Sequence, residues 1–316
     1  MINIAILGFG VVGSGVYELA VKNKETVAKN VGAEVLVSKI LIKDYQEHVA
    51  KSLYTEDFAD ILNDSKIQVA VEAIGGLEPA YSYTKALLEA GKHVVTSNKE
   101  LVATYGGTLL DIAAKNKVRY LYEASVGGGI PIIRPLKQCL AANEITEVFG
   151  ILNGTTNYIL TQMEQEGKSF AESLKSAQEK GYAEADPTAD IEGHDTQRKL
   201  SILASLAFGK EVSLDNIPTT GISYLTQEEL KAADKDGFTI KLIGHAKLEN
   251  GKVSAKVEPL RLPKDSPLGS VQSVNNAIVV RANFLGEVMF YGQGAGKEPT
   301  ASAVMADVID VAKKIQ

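Results

Sequence analysis

The chain has 316 residues, 45% of them hydrophobic and 23% charged, with a formal net charge of −6 at pH 7 and one cysteine. That length suits two domains with separate cores, and an acidic balance with no lysine-rich run argues against nucleic acid as a partner. The single Cys139 excludes a disulfide framework and fits a reducing cytoplasm. No apolar run approaches the roughly 18 residues of a membrane span, and the first residues lack the basic region and cleavage site of a signal peptide.

Residues 2–7 are a short apolar, β-branched run, followed by Gly8-Phe9-Gly10-Val11-Val12-Gly13 and an amphipathic stretch over 14–28. Strand, G-x-G-x-x-G, helix is the context of a dinucleotide-binding turn. Its first glycine permits the tight turn, its second lets the backbone approach a pyrophosphate, and its third lets helix and strand pack closely. Residues 38–43 read as the second strand, whose end meets the adenine ribose in such a fold. There Lys43 suits a 2′-phosphate and the next residue, Asp44, suits a free 2′-hydroxyl. NAD and NADP both stay open, with a slight lean to NADP from Lys43.

Residues 69–74 and 94–96 read as further strands, with a helix over 79–90 closed by Gly91 between them. This alternation predicts a Rossmann-type, doubly wound parallel sheet with its ligand beyond the carboxyl ends of the strands. Gly75, Gly76 and Lys99 fall at such ends. Lys99 is placed to reach a cofactor or a substrate carboxylate, or to stay solvated in the first turn of a helix. Residues 120–123 predict another strand. Gly127, Gly128 and Gly129 then make a compact turn beside Glu123, which suits either a monovalent cation or an interdomain hinge.

From about residue 130 the pattern changes. Residues 131–142 read as a helix carrying Cys139 as a buried structural thiol. A strand over 147–152, a turn at Asn153-Gly154-Thr155-Thr156 and a helix over 157–165 follow. Ser169 and Glu172 form a capping box that opens a helix running to Gly181. The next stretch, to Lys199, holds Glu184, Asp186, Asp190, Glu192 and Asp195, then enters an apolar helix. Asp195 and Lys199 are four apart and share a helix face. Carboxylates beside a lysine, where a loop enters a core helix, can grip an ammonium group and move a proton.

Beyond Gly209, strands over 239–248 and 252–261 flank Asn250-Gly251, a type I′ hairpin signature. Strands over 277–282 and 287–291 and a closing helix over 301–315 complete a second α+β domain with a mostly antiparallel sheet. The expected division is a nucleotide-binding domain over 1–129, completed by a helix over 300–316, and a substrate-binding, dimerising domain over 130–299.

Residues 177–199, A-Q-E-K-G-Y-A-E-A-D-P-T-A-D-I-E-G-H-D-T-Q-R-K, resemble the diagnostic motif of homoserine dehydrogenases. V-V-T-S-N-K-E (94–100), E-A-S-V-G-G-G-I-P-I (123–132), L-N-G-T-T-N-Y-I-L (152–160) and G-Q-G-A-G (292–296) are similar to that family's segments, in its order. The resemblance implies a cytoplasmic enzyme that interconverts L-aspartate 4-semialdehyde and L-homoserine with NAD(P)H, in threonine and methionine biosynthesis. It implies a homodimer acting on a small molecule, and charge and hydropathy speak against nucleic acid or a membrane as partner.

By the same resemblance, Lys199 gives the proton to the aldehyde oxygen and Lys99 is a second active-site lysine beside the nicotinamide. Glu184 and Asp195 hold the substrate and Asp190 supports them. Cofactor contacts fall on Gly8, Phe9, Gly10, Val11, Val12, Gly13, Lys43, Thr96, Lys99, Gly181 and Gly296. A sodium ion falls at Glu123, Val126, Gly128 and Ile130. Many family members continue into a regulatory domain that binds amino acids. This chain stops after its closing helix, which predicts a short form that threonine does not inhibit through such a domain. An aspartate-semialdehyde dehydrogenase would need a cysteine nucleophile at a glycine-rich elbow, unlike Cys139. A dinucleotide sensor without catalysis would need neither lysine.

Overall fold

The computed structural model describes residues 1–43 and 49–315, so Asp44 lies outside the described residues. The chain divides into two units, Met1–Gly129 with Gly296–Gln316, and Ile130–Ala295.

In the first unit, β1 (Ile2–Leu7), β2 (Val35–Leu41), β3 (Tyr54–Thr55), β4 (Ile67–Glu72), β5 (His93–Thr96) and β6 (Tyr120–Leu121) form one sheet. Its order is β3-β2-β1-β4-β5-β6 and its pairings are parallel. The order reverses between β1 and β4, the switch point where such sheets take their ligands. Helices α1 (Val11–Lys22), α2 (Lys24–Val31), α3 (Ala59–Leu62), α4 (Ala80–Glu89) and α5 (Lys99–Lys115) connect the strands. The C-terminal helix Lys297–Ile315 joins the same core, with Val304, Met305, Val308 and Val311 buried against Ile4, Ile6, Val69 and Val71. It begins before residue 301 because Pro299, in its first turn, gives up an N–H that has no helical partner there.

Three expectations need revision here. The helix over 14–28 is two helices that meet at Asn23 (φ −105°, ψ 22°), and the first already starts at Val11. Strand β2 starts at Val35, because Ile2 pairs with Val35 and extends the ladder, so Lys43 sits exposed beyond the strand. Strand β6 stops at Leu121, because Tyr122 (φ −149°, ψ 35°) leaves the extended region and Glu123–Ser125 closes as a 3₁₀ turn.

The second unit holds β7 (Ile145–Ile151), β8 (Phe238–Glu249), β9 (Lys252–Pro263), β10 (Asn275–Ala282) and β11 (Gly286–Gln293). They pair antiparallel in the order β11-β10-β7-β8-β9. Asn250 (φ 49°) and Gly251 (φ 75°) both take positive φ, as a type I′ turn between β8 and β9 requires. Helices α6 (Gly154–Glu166), α7 (Phe170–Glu179), α8 (Thr188–Ile191), α9 (His194–Phe208) and α10 (Gln227–Lys235) complete the unit.

No regular helix covers 131–142. Pro135 offers no N–H to the preceding turn and its ring crowds that turn. The chain instead makes a π-helical turn, Pro135–Cys139, in which Leu140 N–H donates to Pro135 O at 2.9 Å. Cys139 is exposed, which overturns its reading as a buried thiol.

Lys241 in β8 is wholly buried and donates to Asn157 Oδ1 (3.0 Å) and Val271 O (2.6 Å). Burial lowers its pKa from 10.5 to about 8, against the opposing pull of Glu164. Below about pH 8 both folded and unfolded chains hold this proton, and the burial penalty is present in full. Between about pH 8 and about 10.5 only the unfolded chain holds it, so the unfolding free energy rises with pH, by about 3 kcal/mol across that window. Urea unfolding from pH 7 to pH 10.5 should show that rise in the wild type and not in Lys241→Met. Parallel curves for the two proteins would refute it.

Candidate active site

Strand β1 ends at Leu7 and the chain turns at Gly8 (φ 90°), a left-handed value that favours glycine. A Cβ on Gly8 would lie 2.6 Å from Ala73 O, and one on Gly13 would lie 2.1 Å from Gly8 O. One on Gly10 would meet nothing within 4 Å. Two glycines therefore serve the protein's own packing, while Gly10, exposed at the N-cap of α1, leaves room for a ligand. The N–H groups and dipole of the first turn of α1 favour an anion there, so these residues fit a dinucleotide's pyrophosphate. Phe9 is buried against Tyr17 and Tyr54, Val11 is exposed and Val12 is half-buried.

At the carboxyl ends of β4 and β5, Glu72 and Thr96 are both wholly buried, and the Thr96 hydroxyl donates to Glu72 Oε2 at 2.6 Å. The Thr96 side chain is thus engaged inside the protein. Asn98 caps α5, its Oδ1 accepting from Leu101 N–H at 3.1 Å. Lys99 is the first residue of that helix and is half-buried. Further along, Glu123 is buried, its backbone N–H donating to Asp307 Oδ2 at 2.8 Å. Val126 and Ile130 are also buried, and Gly127 (φ 74°) and Gly128 (φ 53°) take left-handed values. Among the described residues no group of three or more His, Cys, Asp or Glu forms a metal site.

In the second unit the acidic segment is ordered from both ends. Helix α7 closes on Gly181 (φ 72°): Gly181 N–H donates to Gln178 O and Tyr182 N–H to Ala177 O, a Schellman arrangement. Gly181 therefore serves as a helix stop. Gly193 (φ 84°) starts α9, and a Cβ on Gly221 would lie 2.1 Å from Ile191 O, so the segment is pressed against residues 219–222. Gly296 (φ 123°) precedes the C-terminal helix in the first unit.

Lys199, on the second turn of α9, is buried. Its Nζ lies 2.7 Å from Asp195 Oδ2, with the two side chains 9% and 3% exposed, and donates to Leu152 O at 2.8 Å. Asn153 joins the remaining members. Its Nδ2 donates to Asp190 Oδ1 (2.7 Å) and Asp195 Oδ2 (2.8 Å). Its Oδ1 accepts from Thr156 N–H (2.8 Å) and so caps α6. The structure thus brings together Lys199, Asp195 and Asp190. Glu184 stands exposed on the loop, where its backbone carbonyl accepts from Gln178 Nε2, and among the described residues no hydrogen bond joins its carboxylate to the cluster.

Asn153 escaped the sequence reading as a functional residue. Asparagine after a strand and before a helix signals a cap. Its two carboxylate partners lie 37 and 42 residues further on, so no local pattern reveals them.

A glycine turn shaped for a dinucleotide in the first unit, together with a buried lysine–carboxylate cluster in the second, fits an oxidoreductase that uses a nicotinamide cofactor. Comparison with known proteins is more specific. A family model described as homoserine dehydrogenase matches residues 131–309, and one described as homoserine dehydrogenase, NAD binding domain, matches residues 8–123. The homoserine dehydrogenase of Bacillus subtilis is 42% identical over 319 residues, covering 100% of this chain and 74% of that one. The solved homoserine dehydrogenase of Thiobacillus denitrificans superposes with a TM-score of 0.95 at 41% identity, covering 99% of this chain and 73% of its own. A hyperthermophilic archaeal homoserine dehydrogenase in complex with NADPH has a TM-score of 0.84 at 29% identity, covering 99% and 98%. The chain belongs to the homoserine dehydrogenase family.

Two pairs of measurements test this geometry. Gly13→Ala should lower the unfolding free energy by about 1–3 kcal/mol through overpacking, whereas Gly10→Ala should leave it within about 0.5 kcal/mol. Titration calorimetry should nevertheless find dinucleotide binding weakened in Gly10→Ala. Asn153→Ala removes a cap and a donor shared by two carboxylates, so stability should fall by about 1–3 kcal/mol. Its kcat/KM should fall about 10–100-fold, and wild-type kinetics in that variant would deny Asn153 a positioning role.

Proposed function

We propose that this chain catalyses reversible hydride transfer between L-aspartate 4-semialdehyde and L-homoserine, using NAD(P)H. The observation that carries the proposal is the buried Lys199–Asp195 pair, held by Asn153 and Leu152 in the unit that the homoserine dehydrogenase model matches. A nicotinamide cofactor, when bound, supplies or accepts the hydride. Addition to the aldehyde carbon drives negative charge onto its oxygen, and Lys199 Nζ protonates that oxygen. A positioned general acid contributes about 10²–10⁴-fold. Asp195 keeps the ammonium aimed, and Asp195 and Glu184 accept from the substrate's α-ammonium, with Asp190 supporting. The exposure of Glu184 suits a carboxylate that meets its partner only when substrate binds. Lys99, leading α5, acts beside the nicotinamide.

The dinucleotide lies along Gly8, Phe9, Gly10, Val11, Val12 and Gly13, with Thr96, Gly181 and Gly296 at its margins. NADP is preferred, supported by the exposed Lys43 beyond β2 and by the archaeal relative's complex with NADPH. A sodium ion, held largely by backbone oxygens, completes the reading at Glu123, Val126, Gly128 and Ile130. The buried Glu123 and the left-handed glycines fit a hard cation with oxygen ligands. Two copies pair through the second unit, whose edge strand β11 exposes Met289 and Tyr291 beside Phe284 and Leu285 at the hairpin tip. A cytoplasmic location is read from the single cysteine, which leaves no partner for a disulfide within the chain.

One assay tests the core of this reading: oxidation of NADPH and of NADH with aspartate semialdehyde, without phosphate. Lys199→Ala should lose at least about 10²-fold in turnover while keeping its dinucleotide Kd. An active Lys199→Ala enzyme would refute the assigned acid, and the ratio of kcat/KM for the two cofactors decides the preference.

A further inference from the structure

Glu72 is a charged side chain with no solvent exposure, at the last position of a central parallel strand. Strands of this kind are normally continuous apolar runs, and a buried carboxylate is costly unless donors surround it. Three do. Ile74 N–H (2.8 Å) and Gly75 N–H (3.4 Å) donate to Oε1, and the Thr96 hydroxyl (2.6 Å) donates to Oε2. The Thr96 oxygen in turn accepts from Asn98 N–H at 2.9 Å, which commits the hydroxyl proton to Glu72. Asn98 Nδ2 then donates to Gly76 O at 2.7 Å, closing a circuit between the loop after β4 and the loop after β5. Asn98 Oδ1 caps α5, and the residue between cap and helix body is Lys99.

The circuit therefore has one anchor and one output. Gly75 (φ 84°) and Gly76 (φ 67°) bend the first loop into a left-handed shape that the two N–H bonds to Glu72 hold. The Thr96–Asn98 relay sets where the second loop becomes a helix. We infer that Glu72 is a positioning residue, whose buried carboxylate sets the start of α5 and so aims the Lys99 ammonium for hydride transfer. This rests on the proposed role of Lys99. The phenol of Tyr120, driven well above its usual range by burial and then by the charge of Glu72, stays protonated and adds no competing anion.

In Glu72→Gln, the amide N–H₂ lies either against the Ile74 and Gly75 N–H donors or against the Thr96 hydroxyl, so one side of the circuit loses its acceptor. In Thr96→Val the relay is lost at constant shape, and Thr96→Ser restores it. Glu72→Gln and Thr96→Val should each lower kcat/KM by about tenfold, Glu72→Gln with the dinucleotide Kd changed less than about threefold, and Thr96→Ser should recover most of the loss in Thr96→Val. The deciding measurement is a double-mutant cycle with Lys99→Ala. In that background Glu72→Gln should cost less than about twofold further, because the group it aims is gone. A Lys99→Ala enzyme as active as wild type would sink the role of Lys99, and this inference with it. If Lys99→Ala is impaired but Glu72→Gln still costs its full factor there, or costs nothing in the wild type, only the role of Glu72 falls.

Discussion

Taking the Lys199 ammonium out of water costs several kcal/mol unless charge and hydrogen bonds replace its hydration, and the second unit is arranged to meet that demand. Asp195, one turn earlier on α9, brings the counter-charge to 2.7 Å, and Leu152 O accepts at 2.8 Å from the end of β7. The counter-charge creates a second difficulty, because Asp190 stands close by and like charges repel. The Asn153 amide donates to both carboxylates and holds them in one cluster. Strand β7, the cap of α6, the short α8 and the first turns of α9 thus answer to a single buried cation.

The first unit faces the opposite problem, since its ligand space has to be kept clear. Packing forces glycine at positions 8 and 13, and position 10 is glycine where nothing of the protein approaches. At the same carboxyl edge of the sheet a buried acid ties two loops together. Binding space and positioned side chains therefore sit at the carboxyl ends of neighbouring strands, where a parallel sheet leaves its loops free to specialise.

The two units share a device. Each has an asparagine between a strand and a helix, Asn98 after β5 and Asn153 after β7. In both, the amide oxygen caps the following helix and the amide nitrogen reaches across to a distant segment, Gly76 in one and Asp190 with Asp195 in the other. A helix start is held at both its own backbone and a neighbouring loop, and each such helix start borders a residue proposed for chemistry.

Much of this was legible in the residues alone. The period-2 and period-3.6 patterns, the glycine spacing after β1, the capping box at Ser169 and the Asn250-Gly251 turn all act within a few neighbours, so the parallel and antiparallel sheets could be read from them. Asp195 and Lys199 were readable for the same reason, being one helical turn apart. Local pattern failed where distant atoms decide. Pro135 turned an expected helix into a single π turn and left Cys139 exposed. The buried state of Glu72 depends on donors from a different strand, and Asn153 acquires its role only when the chain returns some 40 residues later. Sequence by itself determined the fold class and the pairing of Asp195 with Lys199, because periodicity, caps, turns and i, i+4 contacts are short-range. Only the tertiary structure decided which polar groups are buried and what holds them, because desolvation and its compensation are properties of segments that meet in space.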